Sequence, residues 1–304
     1  MTRTLVTLAL ALSLSAAAAA QPGVPRAPDR PLIVASYNIK HGAGNETCTT
    51  PPAEPGNPPN PDCSLDLPRI ASVIEELGAD VVGLQEVDRF WARSGTADQP
   101  QELADMLGWY MCYGANLDHQ PDSHSTVPHQ YGTAILSRLP IVECTNTLLP
   151  KANPPAGEQR GLLEALIDVR GVPVRFYNTH LHTQLVDRRV QTAAIAGIID
   201  EHKGPAVLVG DLNALPTEDS LAVLYERLTD VWPVTNPEDP GYTYVASPSR
   251  PPDRRIDYIL VSGDITIDSA NVPVNDLTAI ASDHYPVVAA IKAPGAAVGI
   301  ERPR

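Results

Sequence analysis

Residues 206–214 read AVLVGDLNA, an apolar, β-branched run that stops on a polar turn. Its length and composition are those of a buried strand, and the stop sets the carboxylate of Asp211 at the strand's end. Seven other runs share this build: LIVASYN (32–38), DVVGLQE (80–86), TAILS (133–137), LLEALIDV (162–169), VRFYNTH (174–180), IDYILV (256–261) and PVVAAI (286–291). Helical patterns separate several of them. The clearest spans Leu67 to Leu77, with Asp66 as N-cap, Pro68 in the first turn, Gly78 just past the end, and a stripe of Ile70, Val73, Ile74 and Leu77. A second is expected from about Asp187 to His202, with Ala194, Ile195, Ile198 and Ile199 inward, and a third begins near Gln101. Strands alternating with helices predict one layered α/β (α+β) domain over residues 31–293, with a flexible segment at 21–30 and a frayed tail at 294–304.

Composition narrows the function. The chain has 304 residues, 43% hydrophobic and 19% charged, which suits a compact globular protein. Twenty-two Lys and Arg against thirty-six Asp and Glu leave a net charge of −14. Long-range attraction to a polyanion is therefore absent unless basic residues cluster locally.

Arg3 followed by LVTLALALSLS and AAAAA reads as a signal peptide over 1–20, cleaved after Ala20. The apolar stretch is short for a membrane span. Export to the periplasm or the exterior is expected, with no stable membrane insertion after cleavage. An oxidising compartment favours disulfides, and the positions of the four cysteines suggest Cys48 with Cys63 and Cys112 with Cys144. No C-x-x-C spacing supports a zinc site.

Asn38, Glu86, His180, Asp211, Asn213, Asp257, Asp283 and His284 all fall at an end of an apolar run. One such residue is a turn former; eight can converge on one edge of a layered fold. Carboxylates, carboxamides and imidazoles are what metal-assisted phosphoester hydrolysis requires: oxygen ligands for a hard cation, a base for water and donors for developing charge. Glu86 is the first candidate ligand. Asp211 and Asn213, two apart, would point the same way on extended backbone and hold a water and a phosphate oxygen together. Asp257 can orient the imidazole of His284.

YNIKHG (37–42), GLQEVD (83–88), YNTHLHT (177–183), VGDLNA (209–214), RRIDYIL (254–260) and SDHYPVVA (282–289) together resemble the motif series of the endonuclease/exonuclease/phosphatase superfamily, related to DNase I. The resemblance implies a four-layered sandwich, with two mixed β-sheets packed face to face, helices on the outside and the active site at one end. It implies Mg²⁺ (or Mn²⁺) as cofactor, with Asn38, Glu86 and Asp283 at the metal. It implies that His180 contacts phosphate or aids the leaving group, that Asn213 binds phosphate, and that a water is activated by Asp211 or His284, the latter oriented by Asp257. Arg160 and Tyr131 match positions where relatives contact substrate. His41 and His182 fill no recognised slot and are expected to be solvated. Trp91 and Trp109 are expected to pack.

The resemblance leaves the substrate open. Acidic net charge favours a phosphodiesterase for a lipid headgroup or small molecule, with a secreted DNase I-like endonuclease as the alternative. Arg89, Arg93, Arg160, Arg254 and Arg255 lie near the motifs and could serve nucleic acid. The loop between Cys48 and Cys63 should overhang the cleft. A monomer is expected. Filled motif slots disfavour a noncatalytic binding module, and neither G-x-S-x-G nor H-E-x-x-H is present.

Overall fold

A computed structural model describes residues 30–45, 65–122, 126–246 and 250–294. The expected signal peptide, the segment 21–29, the Cys48–Cys63 bridge and the tail beyond residue 294 lie outside the described residues. From Pro31 onward the described residues belong to one compact unit, and only Arg30 is described of the unit before it. No helix among them is long and apolar enough to cross a membrane.

Among the described residues twelve strands form two mixed six-stranded sheets. They are β1 (Leu32–Asn38), β2 (Val81–Arg89), β3 (Tyr110–His119), β4 (His129–Ser137), β5 (Ile141–Leu148), β6 (Gly161–Val169), β7 (Val172–His180), β8 (Ala206–Asp211), β9 (Leu228–Asp230), β10 (Asp257–Ser262), β11 (Thr266–Asn271) and β12 (Val287–Lys292). Sheet one runs β11-β12-β1-β2-β4-β3 and sheet two β5-β6-β7-β8-β10-β9. Only β1 with β2 and β7 with β8 pair in parallel; every other neighbour is antiparallel. The helices are α1 (Leu67–Glu76), α2 (Gln99–Leu107), α3 (Leu185–Asp200), α4 (Ala222–Tyr225), α5 (Val231–Thr235) and α6 (Asp276–Ala281).

The layers follow from side-chain alternation. In β1, Leu32 and Val34 join the core between the sheets, while Ala35 and Tyr37 join a second core with Ile70, Val73 and Ile74 of α1 and Leu103 of α2. In β8, Val207 and Val209 face sheet one, while Leu208 faces Ile195 and Ala196 of α3. Three apolar interfaces thus hold helices, sheet, sheet and helices together. The cap of α1 forms as expected, with Asp66 Oδ1 accepting from Arg69 N at 2.8 Å. In α3 the buried face is Asp187, Arg188, Gln191, Thr192, Ile195 and Ala196, more polar than expected, with Ala194, Ile198 and Ile199 only partly buried.

The sheets approach closely at Gly83 of β2. A Cβ there would stand 2.3 Å from Val209 Cγ2 and 2.9 Å from Asn178 Cγ, so only glycine fits. Beside it a buried amide pair crosses the interface. Gln85 Nε2 donates to Asn178 Oδ1 at 2.8 Å, and Asn178 Nδ2 donates to Leu84 O at 2.9 Å and Ala134 O at 2.8 Å. Cys112 of β3 and Cys144 of β5 are joined, Cα to Cα 5.8 Å, linking an edge of sheet one to an edge of sheet two.

Candidate active site

Each central strand carries a series of residues facing the other sheet, apolar in its length and polar at one end. In β1 the series is Leu32, Val34, Ser36 and Asn38; in β7, Val174, Phe176, Asn178 and His180; in β8, Val207, Val209 and Asp211; in β10, read backwards, Val261, Ile259 and Asp257. The C-terminal ends of the parallel pairs and the N-terminal ends of their antiparallel neighbours coincide, so these polar ends meet at one mouth of the sandwich.

Glu86 breaks the alternation. Val82, Leu84 and Val87 of β2 all face α1 and α2, which is possible only because the ladder with β4 slips between Leu84 and Val87. At this β-bulge Glu86 is left-handed (φ 57°), and its side chain turns into the mouth. Asn213 is also left-handed (φ 49°), so Asp211 and Asn213 are not aligned on extended backbone as the sequence suggested. Instead, Asp211 Oδ1 accepts from Asn213 N at 2.9 Å, a local turn that still brings both side chains to the cleft.

The cleft has a volume of about 400 Å³. Glu86, Tyr131, Arg160, His180, Asp211, Asn213, Asp283 and His284 line it, with Asn38 and Asp257 buried behind. All ten residues expected from the sequence are therefore brought together. Glu158, Thr183, Tyr244, Arg254 and Ile256 complete the wall. Thr183, Arg254 and Ile256 fell within quoted motifs; Tyr244 sits in an irregular segment with no periodic signal. Its ring meets that of His284 edge-on at 5.0 Å, and the Arg254 guanidinium lies 4.4 Å from its centroid.

Hydrogen bonds fix the charged groups. His284 Nδ1 stands 2.8 Å from Asp257 Oδ2, which also accepts from Thr243 Oγ1 at 2.6 Å. Thr243, fully buried, is a supporting residue that sequence reading missed. His284 Nε2 faces Asn38 Nδ2 at 3.5 Å and Asp211 Oδ2 at 3.7 Å. Asn38 Nδ2 donates to Glu86 Oε1 at 3.0 Å and to Asp211 Oδ2 at 3.1 Å, spanning the two sheets. His180 Nε2 lies 3.4 Å from Asp211 Oδ2, and its Nδ1 is buried without a partner among the described residues. Lys40 Nζ is 3.5 Å from Asp283 Oδ2, and Arg160 pairs with Glu158 at 2.8 Å.

Burial acts to lower the pKa of His284, but Asp257 and Asp211 outweigh it and push it up to about 10. Burial, reinforced by Asp257, raises Asp211 to about 7 against the opposing pull of His284, Asn213 and Asn38. Burial, then the Arg160 charge, holds His180 well below the usual histidine range. Glu86 is raised by burial, with its Asn38 hydrogen bond opposing.

Two expectations need correction. Neither His41 nor His182 is solvated: their side chains are 15% and 10% exposed, and burial, helped by Arg93, lowers His41 to about 3. Three of the five nearby arginines are also committed elsewhere. Arg89 donates to Asp98 at 2.8 and 2.6 Å and Arg93 to Asp88 at 2.8 Å twice, and Arg255 pairs with the buried Asp230 at 2.8 Å. Arg160 and Arg254 are the arginines on the cleft wall.

The endonuclease/exonuclease/phosphatase family description matches residues 35–284. The chain belongs to this family. An endonuclease/exonuclease/phosphatase from Beutenbergia cavernae DSM 12333 is 30% identical, covering 89% of this chain and 73% of its own, with a TM-score of 0.65. Two further solved structures share the fold at 21% identity and 86% of this chain. They are a mannosyl-6-phosphatase of Bacteroides thetaiotaomicron VPI-5482 (99% of that chain, TM-score 0.61) and the human Nocturnin catalytic domain with bound sulfate (94%, 0.62). Protein cwh43 of Schizosaccharomyces pombe is 35% identical over 144 residues, 47% of this chain and 14% of that much longer protein. The two face-to-face mixed sheets with outer helices are the expected family fold.

Among the described residues Asp211, Asp257 and His284 bring donor atoms within 4.8 Å of one another, a possible metal site. A second candidate faces it. Glu86 Oε1 is taken by Asn38, while Oε2 makes no hydrogen bond among the described residues. With Asp283 on the same wall, it offers the hard oxygen donors that suit a divalent cation.

Proposed function

We propose that the protein is an exported, divalent-metal-dependent phosphodiesterase whose substrate is a small phosphodiester or a lipid headgroup rather than duplex nucleic acid. The observation that carries this reading is that of the five arginines near the motifs only Arg160 and Arg254 line the cleft, in a chain already at −14. Arg160 and Arg254 are enough for one phosphoryl group, and the cleft of about 400 Å³ suits a small ligand. Export is supported by the apolar N-terminal run and the Cys112–Cys144 bridge. The protein acts as a monomer.

Glu86 and Asp283, with Asn38 behind, would hold Mg²⁺ or Mn²⁺, which when bound neutralises charge on a phosphoryl oxygen. We prefer this wall to the Asp211–Asp257–His284 cluster because a cation there would compete with the 2.8 Å contact between His284 and Asp257. Asp211 and His284 both line the cleft where water would attack; Asp211, raised to about 7, can take its proton near neutral pH, whereas His284, raised to about 10, can do so only at higher pH. Asp257, fixed by Thr243, sets the His284 ring and tautomer. His180, Asn213 and Arg160 supply donors for charge developing on the phosphoryl group.

The deciding experiment compares bis(p-nitrophenyl) phosphate, p-nitrophenyl phosphate and supercoiled plasmid, each with Mg²⁺ or Mn²⁺, with EDTA, and with His284→Ala protein. Metal-dependent diester cleavage with intact plasmid is expected. Plasmid nicking at comparable efficiency, lost in the variant, would establish the endonuclease reading instead.

A further inference from the structure

The turn after β1 is strained. Lys40 (φ 46°) and His41 (φ 43°) are both left-handed and are followed by Gly42 (φ 74°). For residues other than glycine this region costs about 1 kcal/mol or more each, so it persists only where the surroundings impose it. Here they do. Asn38 Oδ1 accepts from Lys40 N at 3.0 Å. Gln99 of α2, 1% exposed, donates from Nε2 to His41 O at 2.7 Å while its Oε1 accepts from Asp88 N at 2.9 Å. One buried amide therefore ties the strained turn to β2, two residues beyond Glu86.

What this achieves is the placement of one ring. His41 Nδ1 lies 4.0 Å from Glu86 Oε2 and is buried with no hydrogen-bond partner among the described residues. Glu86 is itself left-handed at the bulge, so two strained residues on different elements face one another across a gap. The gap is too long for a hydrogen bond, which would close it to about 2.8 Å. It leaves two donor atoms, neither hydrogen-bonded to the other, close enough that both could reach one cation.

We propose that His41 Nδ1 is a nitrogen ligand to the same cation that Glu86 holds, making this a mixed nitrogen–oxygen site that prefers a first-row transition ion such as Mn²⁺ or Co²⁺ to Mg²⁺. The proposal rests on the assignment of the metal to Glu86. Imidazole adds affinity for transition ions and little for Mg²⁺, whereas carboxylates serve both.

The test is calorimetric and spectroscopic titration of metal-free full-length protein with Co²⁺ and with Mg²⁺. His41→Gln is expected to lose roughly 10- to 100-fold in Co²⁺ affinity and to change the visible Co²⁺ spectrum, with Mg²⁺ affinity within about threefold of wild type. Glu86→Gln is expected to weaken both ions. Because His41→Gln could disturb the turn, wild-type protein with ¹⁵N-histidine is also titrated with ¹¹³Cd²⁺, where a His41 Nδ1 resonance coupled to cadmium is expected. Unchanged Co²⁺ binding in His41→Gln, equal loss of both ions, or an uncoupled His41 resonance would overturn the ligand assignment alone. Glu86→Gln binding both ions as wild type does would overturn the metal assignment and this proposal with it.

Discussion

On one wall of the cleft, Asn38, Glu86 and Asp283 come from β1, β2 and the approach to β12. On the other, His180, Asp211 and Asp257 come from β7, β8 and β10. The second wall is nearly closed to solvent, its three side chains 6%, 2% and 0% exposed, with His180 3.4 Å from Asp211 and both carboxylates within 3.7 Å of His284. The first keeps Glu86 and Asp283 at 26% and 22%, with carboxylate oxygens that no donor fully satisfies. A dry wall whose carboxylates cluster around one imidazole holds protons in fixed places; a wetter wall of carboxylates is built to receive a cation. His284 belongs by sequence to the first wall and by hydrogen bonding to the second.

The comparison can be broken at several points. If the dry wall handles the proton, His284→Ala and Asp211→Asn should each lower kcat by about 10³-fold or more with the thermal midpoint largely kept. A near-normal rate in either variant sinks the assignment. If the open wall receives metal, Glu86→Gln should raise the metal concentration for half-maximal activity by roughly tenfold or more, with a smaller loss at saturation. An unchanged metal dependence would remove Glu86 from the site.

Gly83 sits where the walls converge, and Gly83→Ala should lower unfolding free energy by about 1–3 kcal/mol in urea titration, because a methyl there overlaps Val209. A neutral result would mean the sheets can part without cost. The smallest effect concerns pH. His284, raised from 6.5 to about 10 in the fold, contributes stability that is fully present below pH 6.5 and is lost as pH rises through 10. Metal-free protein should therefore lose thermal stability across pH 7–10, and His284→Ala should flatten that slope. Equal slopes would show that the carboxylates around His284 do not stabilise its charged form.

The interior of the sandwich was legible in the sequence, and its edges were not. All eight strands recognised from β-branched runs are central strands. The four missed, β3, β5, β9 and β11, form the two edges of each sheet. β5 shows why: it is exposed along most of its length, so IVECTNTL carries little apolar signal. Site residues were legible where alternation led to them, as with Asn38, His180 and Asp257. Glu86 was found despite alternation, since only the bulge turns it inward. Thr243, Tyr244 and the burial of His41 depend on how irregular segments fold back onto the strands, which periodicity does not reveal.

The contact between Gly83 and Val209 has one more consequence. Where the sheets touch, backed by the amide pair of Gln85 and Asn178, nothing the size of a phosphate can pass inward. The cleft opens at the mouth of the sandwich and does not reach Gly83 or Val209. A ligand would therefore enter, and its products would leave, on the solvent side of the sandwich, with no passage between the sheets at that contact.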